Sequence, residues 1–395
     1  MKIIFLGLMY SEKTLDYCKK HSKNGLQMAT HVFQSNLLQG LESSGVNFKV
    51  VNIPPIGSFP INCTKLFFKG ENWGKNNYQI PYLNVPIIKQ KMQKRQLVKE
   101  IKKAIIQSKD KDVSIIAYSP YIPFLKAIKQ IKKKYPFIKS NLIVTDCIPG
   151  REDMDKYMTK SAIKRGNEIV RLAKSIDSFS LLTKHLASAL EIGDKPYVIT
   201  ECICNEHQKQ ATAKNKNDKI CLYAGSISEE FGVDTLVDAF SKISGAELWV
   251  CGKSNSTTSI EHLQEMAKKH GNIKYLGFVS KEEVEEFRNK CDYLINPRMP
   301  TGTFTKYSFP SKTAEYMMSG KPTIMYKLEG VPDSYDEFLN YITETTSDKL
   351  KEEIESIFNK DYAELQEKAL RARDFLINNN SSKKQVGKIL ETLKD

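Results

Sequence analysis

The sequence predicts an α/β protein of two doubly wound, Rossmann-like domains, and three observations carry that reading. Short Val/Ile/Leu-rich runs alternate with amphipathic stretches along most of the chain, and a polar break interrupts the alternation near its middle. The length, 395 residues, exceeds what one core of ordinary size takes up. With 41% hydrophobic and 27% charged residues the composition is globular, which excludes disordered and fibrous classes.

Taken in order, residues 3–8, 48–53, 113–117, 142–145 and 179–182 read as strands. Their apolar runs are continuous because helices cover both faces of a parallel sheet. Helices are expected at 29–43, 87–107 and 124–134, the last with Phe124, Leu125, Ile128 and Ile131 on one face and lysines on the other. Residues 194–218 end in a polar run from Gln208 to Asp218 and read as a linker. The alternation then restarts, with strands at 219–223, 247–250, 273–276, 293–295 and 323–325 and helices at 233–241 and 280–290. The domains are therefore expected at 1–205 and 217–375, with 376–395 a C-terminal helix packing back toward the first. Doubly wound sheets bind ligands outside the carboxyl ends of their strands, so a ligand cleft between the two domains is expected.

The formal charge is +14, and residues 86–140 hold fifteen Lys/Arg against three Asp/Glu. That local excess of +12 reads either as a solvated helix face or as a surface for an anionic membrane. The eight cysteines show no C-x-x-C pair and no zinc-ligand grouping, so reduced thiols and no metal are expected. The apolar opening run at 2–8 is far shorter than a membrane span, and a cytoplasmic protein is expected, peripheral at the inner face of the membrane.

The densest chemical signal is the stretch from Ile295 to Tyr316, a Pro-rich polar loop leaving a strand and running into a helix. Pro310 and Ser311 start that helix, so free backbone N–H groups and the positive dipole end stand beside the Lys312 ammonium, an arrangement that holds phosphate. Arg298, just past the preceding strand, can add a bidentate guanidinium to the same diphosphate. Glu315 lies one turn after Ser311 and can accept from a ribose diol. The same three residues also read as a helix cap, a surface lysine and an i, i+3 ion pair.

This stretch resembles the donor-site signature of retaining family 4 glycosyltransferases of the GT-B fold. Further blocks resemble the same family: Tyr223-Ala-Gly-Ser-Ile-Ser at a strand-to-helix turn, Val250-Cys-Gly at the next strand end, and Tyr275-Leu-Gly-Phe-Val-Ser beside the nucleobase. Tyr307 to Pro322 is similar to enzymes that build capsular and other surface polysaccharides. The resemblance implies a nucleotide-sugar donor, a saccharide or lipid-linked saccharide acceptor, and donor contacts from Gly225, Ser226, Gly252, Phe278, Tyr307, Ser308, Ser311 and Glu315. It implies that Arg298 and Lys312 stabilise the departing diphosphate; because two basic side chains can neutralise it and no His/Cys ligand set is present, no cofactor or metal is expected to take part. Two departures stand out. Tyr307 occupies the place of the first of the family's two glutamates, and Ser226 and Phe231 stand where many members carry Arg and Lys. The N-terminal half matches loosely, through Asn24 and Gly25 after the first strand.

Asp146, at the end of the strand at 142–145, is a cleft-side candidate, though an Asp before Pro-Gly also caps turns. His31 reads as an ordinary histidine, and Cys202, Cys204 and His207 lack a fourth ligand for a metal. Two rival functions stand beside the transferase. A sugar-nucleotide epimerase shares the fold but needs acids and bases around the sugar, which the sequence does not display. A nucleic-acid binder would draw on the +12 segment, which lacks interleaved stacking aromatics, so no nucleic-acid partner is expected.

Overall fold

A computed structural model of the chain describes residues 1–394 except 23–25, 109–111, 152–157, 205, 207, 213–216, 255–256 and 303. The chain divides into two compact units, one of Met1–Ile203 with Ser381–Asp395, the other of Cys204–Asn380.

The first unit is built on an eight-stranded sheet in the order Tyr197–Ile199, Ser178–Leu181, Lys139–Val144, Val113–Tyr118, Lys2–Gly7, Asn47–Asn52, Asn77–Gln79, Glu71–Trp73. Every pairing is parallel except the last, where Glu71–Trp73 runs back along Asn77–Gln79. The central strands are buried throughout, which is why they read as unbroken apolar runs. Helix Ser382–Glu391 packs on helix Met28–Ser43, so closely that a Cβ on Gly40 would lie 2.3 Å from the Ser382 carbonyl oxygen.

The second unit holds a six-stranded, all-parallel sheet in the order Ile273–Gly277, Glu247–Cys251, Ile220–Ala224, Tyr293–Asn296, Thr323–Tyr326, Asn340–Ile342. The chain builds outward from Ile220–Ala224 in one direction, then returns to its other side at Tyr293–Asn296. The order reverses between those two strands, and the carboxyl side of such a reversal is where doubly wound sheets bind ligands. Both units are thus Rossmann-like, the architecture of the GT-B fold.

Three readings of the sequence need correction. Residues 194–218 are not all linker, because Tyr197–Ile199 pairs with Ser178–Leu181 and Thr200, Cys202, Ile203 and Cys204 are buried. The division falls at 203/204 and 380/381, since helix Tyr362–Asn380 runs unbroken with Leu365, Ala369, Ala372 and Leu376 buried. And part of the +12 excess already has partners within the chain: Lys126 pairs with Glu168 at 2.8 Å, Lys132 with Asp177 at 2.5 Å, and buried Lys89 donates to the Ile56 carbonyl. Among the described residues no helix is long and apolar enough to cross a membrane.

Candidate functional site

The loops at the order reversal of the second sheet are pressed together by glycines. A Cβ on Gly252, just past Glu247–Cys251, would lie 1.7 Å from the Gly225 carbonyl oxygen, so these two turns meet backbone to backbone. The Gly225 N–H donates to the Cys251 carbonyl at 3.0 Å, and the Ile227 N–H to that of Lys253 at 2.8 Å. Gly232 (φ 72°) closes the turn, and a Cβ there would lie 2.1 Å from the Pro297 carbonyl oxygen. Only glycine allows that approach together with that backbone angle. Gly225 is hemmed by a side chain instead, the Tyr223 hydroxyl, which donates to the carbonyl of exposed Ser226 at 2.7 Å.

Arg298 follows strand Tyr293–Asn296 on the other side of the reversal. Its guanidinium carbon lies 4.6 Å from the Phe304 ring centre and 6.0 Å from that of Phe231, and one Nη donates to Ser308 Oγ at 3.3 Å. Its buried Nε–H has no hydrogen-bond partner among the described residues. Burial lowers the Arg298 pKa, while Glu230 and Tyr223 act in the opposite direction. Ser308 is itself oriented by donating to the Phe304 carbonyl at 3.0 Å.

Helix Ser311–Ser319 starts after Pro310 with no side chain capping it, and Ser311 is exposed at its first position. Lys312 does not stand alone. Its ammonium meets Glu315 Oε2 at 3.0 Å, and the other Glu315 oxygen is taken by Arg288, a buried residue of helix Lys281–Lys290. The i, i+3 pair that the spacing also allowed is therefore formed. Burial alone would raise the Glu315 pKa, but the Lys312 and Arg288 charges and their hydrogen bonds outweigh it and hold the carboxyl below its ordinary value. Fully buried Tyr316 ties the helix to the sheet, its hydroxyl accepting the Ala224 N–H at 3.1 Å.

The structure therefore gathers Gly225, Ser226, Gly252, Arg298 and Ser308 around the reversal. Lys312, Glu315 and Arg288 all act on the Cys251 thiol, one register step along the sheet from where Arg298 acts on Tyr223. Phe278 is 67% exposed, with the Lys253 ammonium 3.9 Å from its ring centre. Tyr307 departs from expectation: it is 1% exposed, a core side chain with no surface to offer a sugar. Phe231, in the place of a family cation, presents a ring to Arg298 instead. In the first unit, Asp146 is exposed and accepts from the Thr145 hydroxyl at 3.4 Å, and His31 Nδ1 accepts from the Tyr10 N–H at 3.4 Å. Asn24, Gly25 and His207 lie outside the described residues. Among the described residues no three His, Cys, Asp or Glu gather as for a metal ion.

Sequence reasoning missed Arg288, Phe304 and the role of Tyr316. Arg288 sits in a strongly charged helix and carries no sign of burial. Phe304 and Tyr316 stood within the quoted stretch, but ring-to-cation and hydroxyl-to-backbone contacts across elements leave no spacing signature.

Two sheets of this topology define the class, a protein of the GT-B fold. Residues 205–374 match the family model of glycosyl transferases group 1, 43% of the chain and nearly the whole second unit. Solved structures share the fold over full length. An E. coli trehalose-6-phosphate structure bound with UDP-2-fluoro glucose superposes with TM-score 0.67 at 10% identity, covering 100% of this chain and 99% of that one. The apo lipopolysaccharide outer core galactosyltransferase WaaB gives 0.62 at 14% identity, with 99% of each chain covered. Anabaena Alr3699/HepE in complex with UDP gives 0.61 at 15% identity, covering 100% and 99%. No curated protein sequence matches significantly. The whole chain thus shares the GT-B fold, and its second unit matches the glycosyl transferases group 1 model.

Proposed function

We propose that the chain transfers a sugar from a UDP-sugar to a saccharide or lipid-linked saccharide acceptor in surface-polysaccharide synthesis, with retention of configuration. The observation that carries the reading is Arg298, a cation with two aromatic rings beside it at the order reversal of the second unit's sheet. UDP bound in two structures of the same fold and a lipopolysaccharide galactosyltransferase among the neighbours favour this donor and acceptor class.

In this reading the acceptor hydroxyl oxygen bonds to the anomeric carbon as the bond from that carbon to the diphosphate breaks. The hydroxyl proton passes to the departing phosphate oxygen. Arg298, Lys312 and the uncapped start of helix Ser311–Ser319 take up the developing charge, and such fixed electrostatics supply the largest share of catalysis in many enzymes. Two cations suffice for a diphosphate, so no divalent metal is required.

Incubation with UDP-glucose, UDP-galactose, UDP-N-acetylglucosamine and GDP-mannose, with nucleoside diphosphate release as readout, tests the proposal. Release from one UDP-sugar, unchanged by EDTA, is expected. Release from none, with no thermal stabilisation by any of them, contradicts it.

A further inference from the structure

The first unit carries an exposed apolar cluster that its fold does not use. Ile61, Leu66, Phe67, Ile87 and Ile88 are all exposed, Ile61 at 67% and Ile87 at 79%. They belong to two segments stitched into one platform. The Asn84 side-chain amide donates to the carbonyls of Gly57 and Lys65, both at 3.1 Å, and its N–H donates to the Leu66 carbonyl at 2.7 Å. Phe67 pairs with Leu83 across a short hairpin, and the Lys89 ammonium reaches the Ile56 carbonyl at 2.6 Å. Beneath the exposed side chains Phe68 and Tyr82 stack in the core, ring centres 5.0 Å apart.

Ile87 bears two unfavourable features at once. Besides its exposure it adopts φ 69°, a left-handed angle that β-branched residues avoid and that persists where the surroundings impose it. The platform's charge has one sign: residues 56–70 and 82–95 contain six Lys/Arg and no Asp or Glu, and only Lys89 of the six is buried. Exposed apolar side chains and exposed cations on the same two segments match the layering of an anionic bilayer, with acyl chains below and phosphates at headgroup level.

We propose that this platform inserts Ile61, Phe67 and Ile87 into an anionic lipid surface, with Lys65, Lys69, Lys91, Lys94 and Arg95 at the headgroups. The attachment is then apolar as well as electrostatic, and it is centred on this platform rather than on the lysines of helix Ile122–Lys134. The inference rests on the lipid-linked acceptor reading, for which it supplies the docking surface.

The test is co-sedimentation of the full chain with vesicles of phosphatidylglycerol and phosphatidylcholine, against phosphatidylcholine alone. Binding to the anionic vesicles should persist in part at about 1 M salt, where charges are screened beyond about 3 Å. The triple variant Ile61→Ser, Phe67→Ser, Ile87→Ser should lose that salt-resistant fraction by about tenfold or more, while Lys129→Ala with Lys133→Ala should keep it. A Phe67→Trp variant should show emission quenched by doxyl-labelled lipid.

Complete release of the wild type by salt, or a triple variant that binds as the wild type does, overturns the insertion and leaves an electrostatic attachment. Binding to neither vesicle overturns attachment altogether. A dimer of the wild type that the triple variant dissolves, seen by light scattering, makes the platform a self-interface and also overturns the proposal. Thermal stabilisation by UDP-glucose, measured on the same samples, reports separately on the donor site and on folding of the variants.

Discussion

Arg298 and Lys312 are two cations on the same edge of one sheet, and the protein holds them by opposite means. Arg298 has the ring centres of Phe304 and Phe231 4.6 and 6.0 Å from its guanidinium carbon, one Nη donates to the Ser308 hydroxyl, and among the described residues no carboxylate holds it. Lys312 is ion-paired with Glu315, whose second oxygen is held by Arg288. A phosphate would accept from the Arg298 N–H groups without first displacing a carboxylate from them. Lys312 has to exchange a carboxylate for a phosphate, and its net gain is the difference between the two. The electrostatics of the proposed transfer therefore rest on Arg298 first.

The sharpest break to that contrast is Arg298→Ala, which should lower kcat/KM by about 10²–10³, the loss typical of a preorganised donor to a developing oxyanion. Arg298→Lys should recover little of it, because an ammonium does not bind phosphate in fork geometry. Initial rates with saturating donor decide it, and the melting temperature should stay near the wild-type value.

Next in size is Glu315→Gln, which should weaken binding of free UDP by roughly 1.5–3 kcal/mol, as for a hydrogen bond to a charged group. It also removes the carboxylate facing the buried Arg288, so stability should fall, by about 1–3 kcal/mol given that Glu315 itself is partly exposed. Adding Arg288→Met should restore the stability and not the affinity, which separates the two roles. The pH dependence has a definite sign. The Glu315 carboxyl is held below its ordinary 4.5, so its contribution is full above that value and lost as pH falls through the folded value. Denaturation of wild type and variant should therefore begin to converge as pH falls below about 4.5 and coincide only below the folded value.

The smallest effect belongs to Lys312→Met, with turnover down roughly tenfold, about 1.4 kcal/mol. A loss equal to that of Arg298→Ala would erase the distinction between a free and a paired cation.

The strands of both sheets were legible because parallel, doubly covered strands are unbroken apolar runs, as at residues 113–117 and 293–295. The short strands Asn77–Gln79, Glu71–Trp73 and Asn340–Ile342 were not, since three residues carry no periodicity. In the site, Arg298, Lys312 and Glu315 stood out because charge clustered beside a helix start. What holds them did not: the rings on Arg298 and the Arg288 under Glu315 arrive from other elements, and position in the chain says nothing of that contact. Tyr307 shows the reverse case, a residue aligned with a sugar-binding position that the fold turns into the core.

Calorimetric titration of UDP into the wild type, Arg298→Ala and Glu315→Gln tests the central claim, that the order reversal of the second sheet is the donor site. The account predicts saturable one-to-one binding by the wild type and weaker binding by both variants. Binding unchanged in both variants, or none by the wild type to any nucleoside diphosphate, would contradict it.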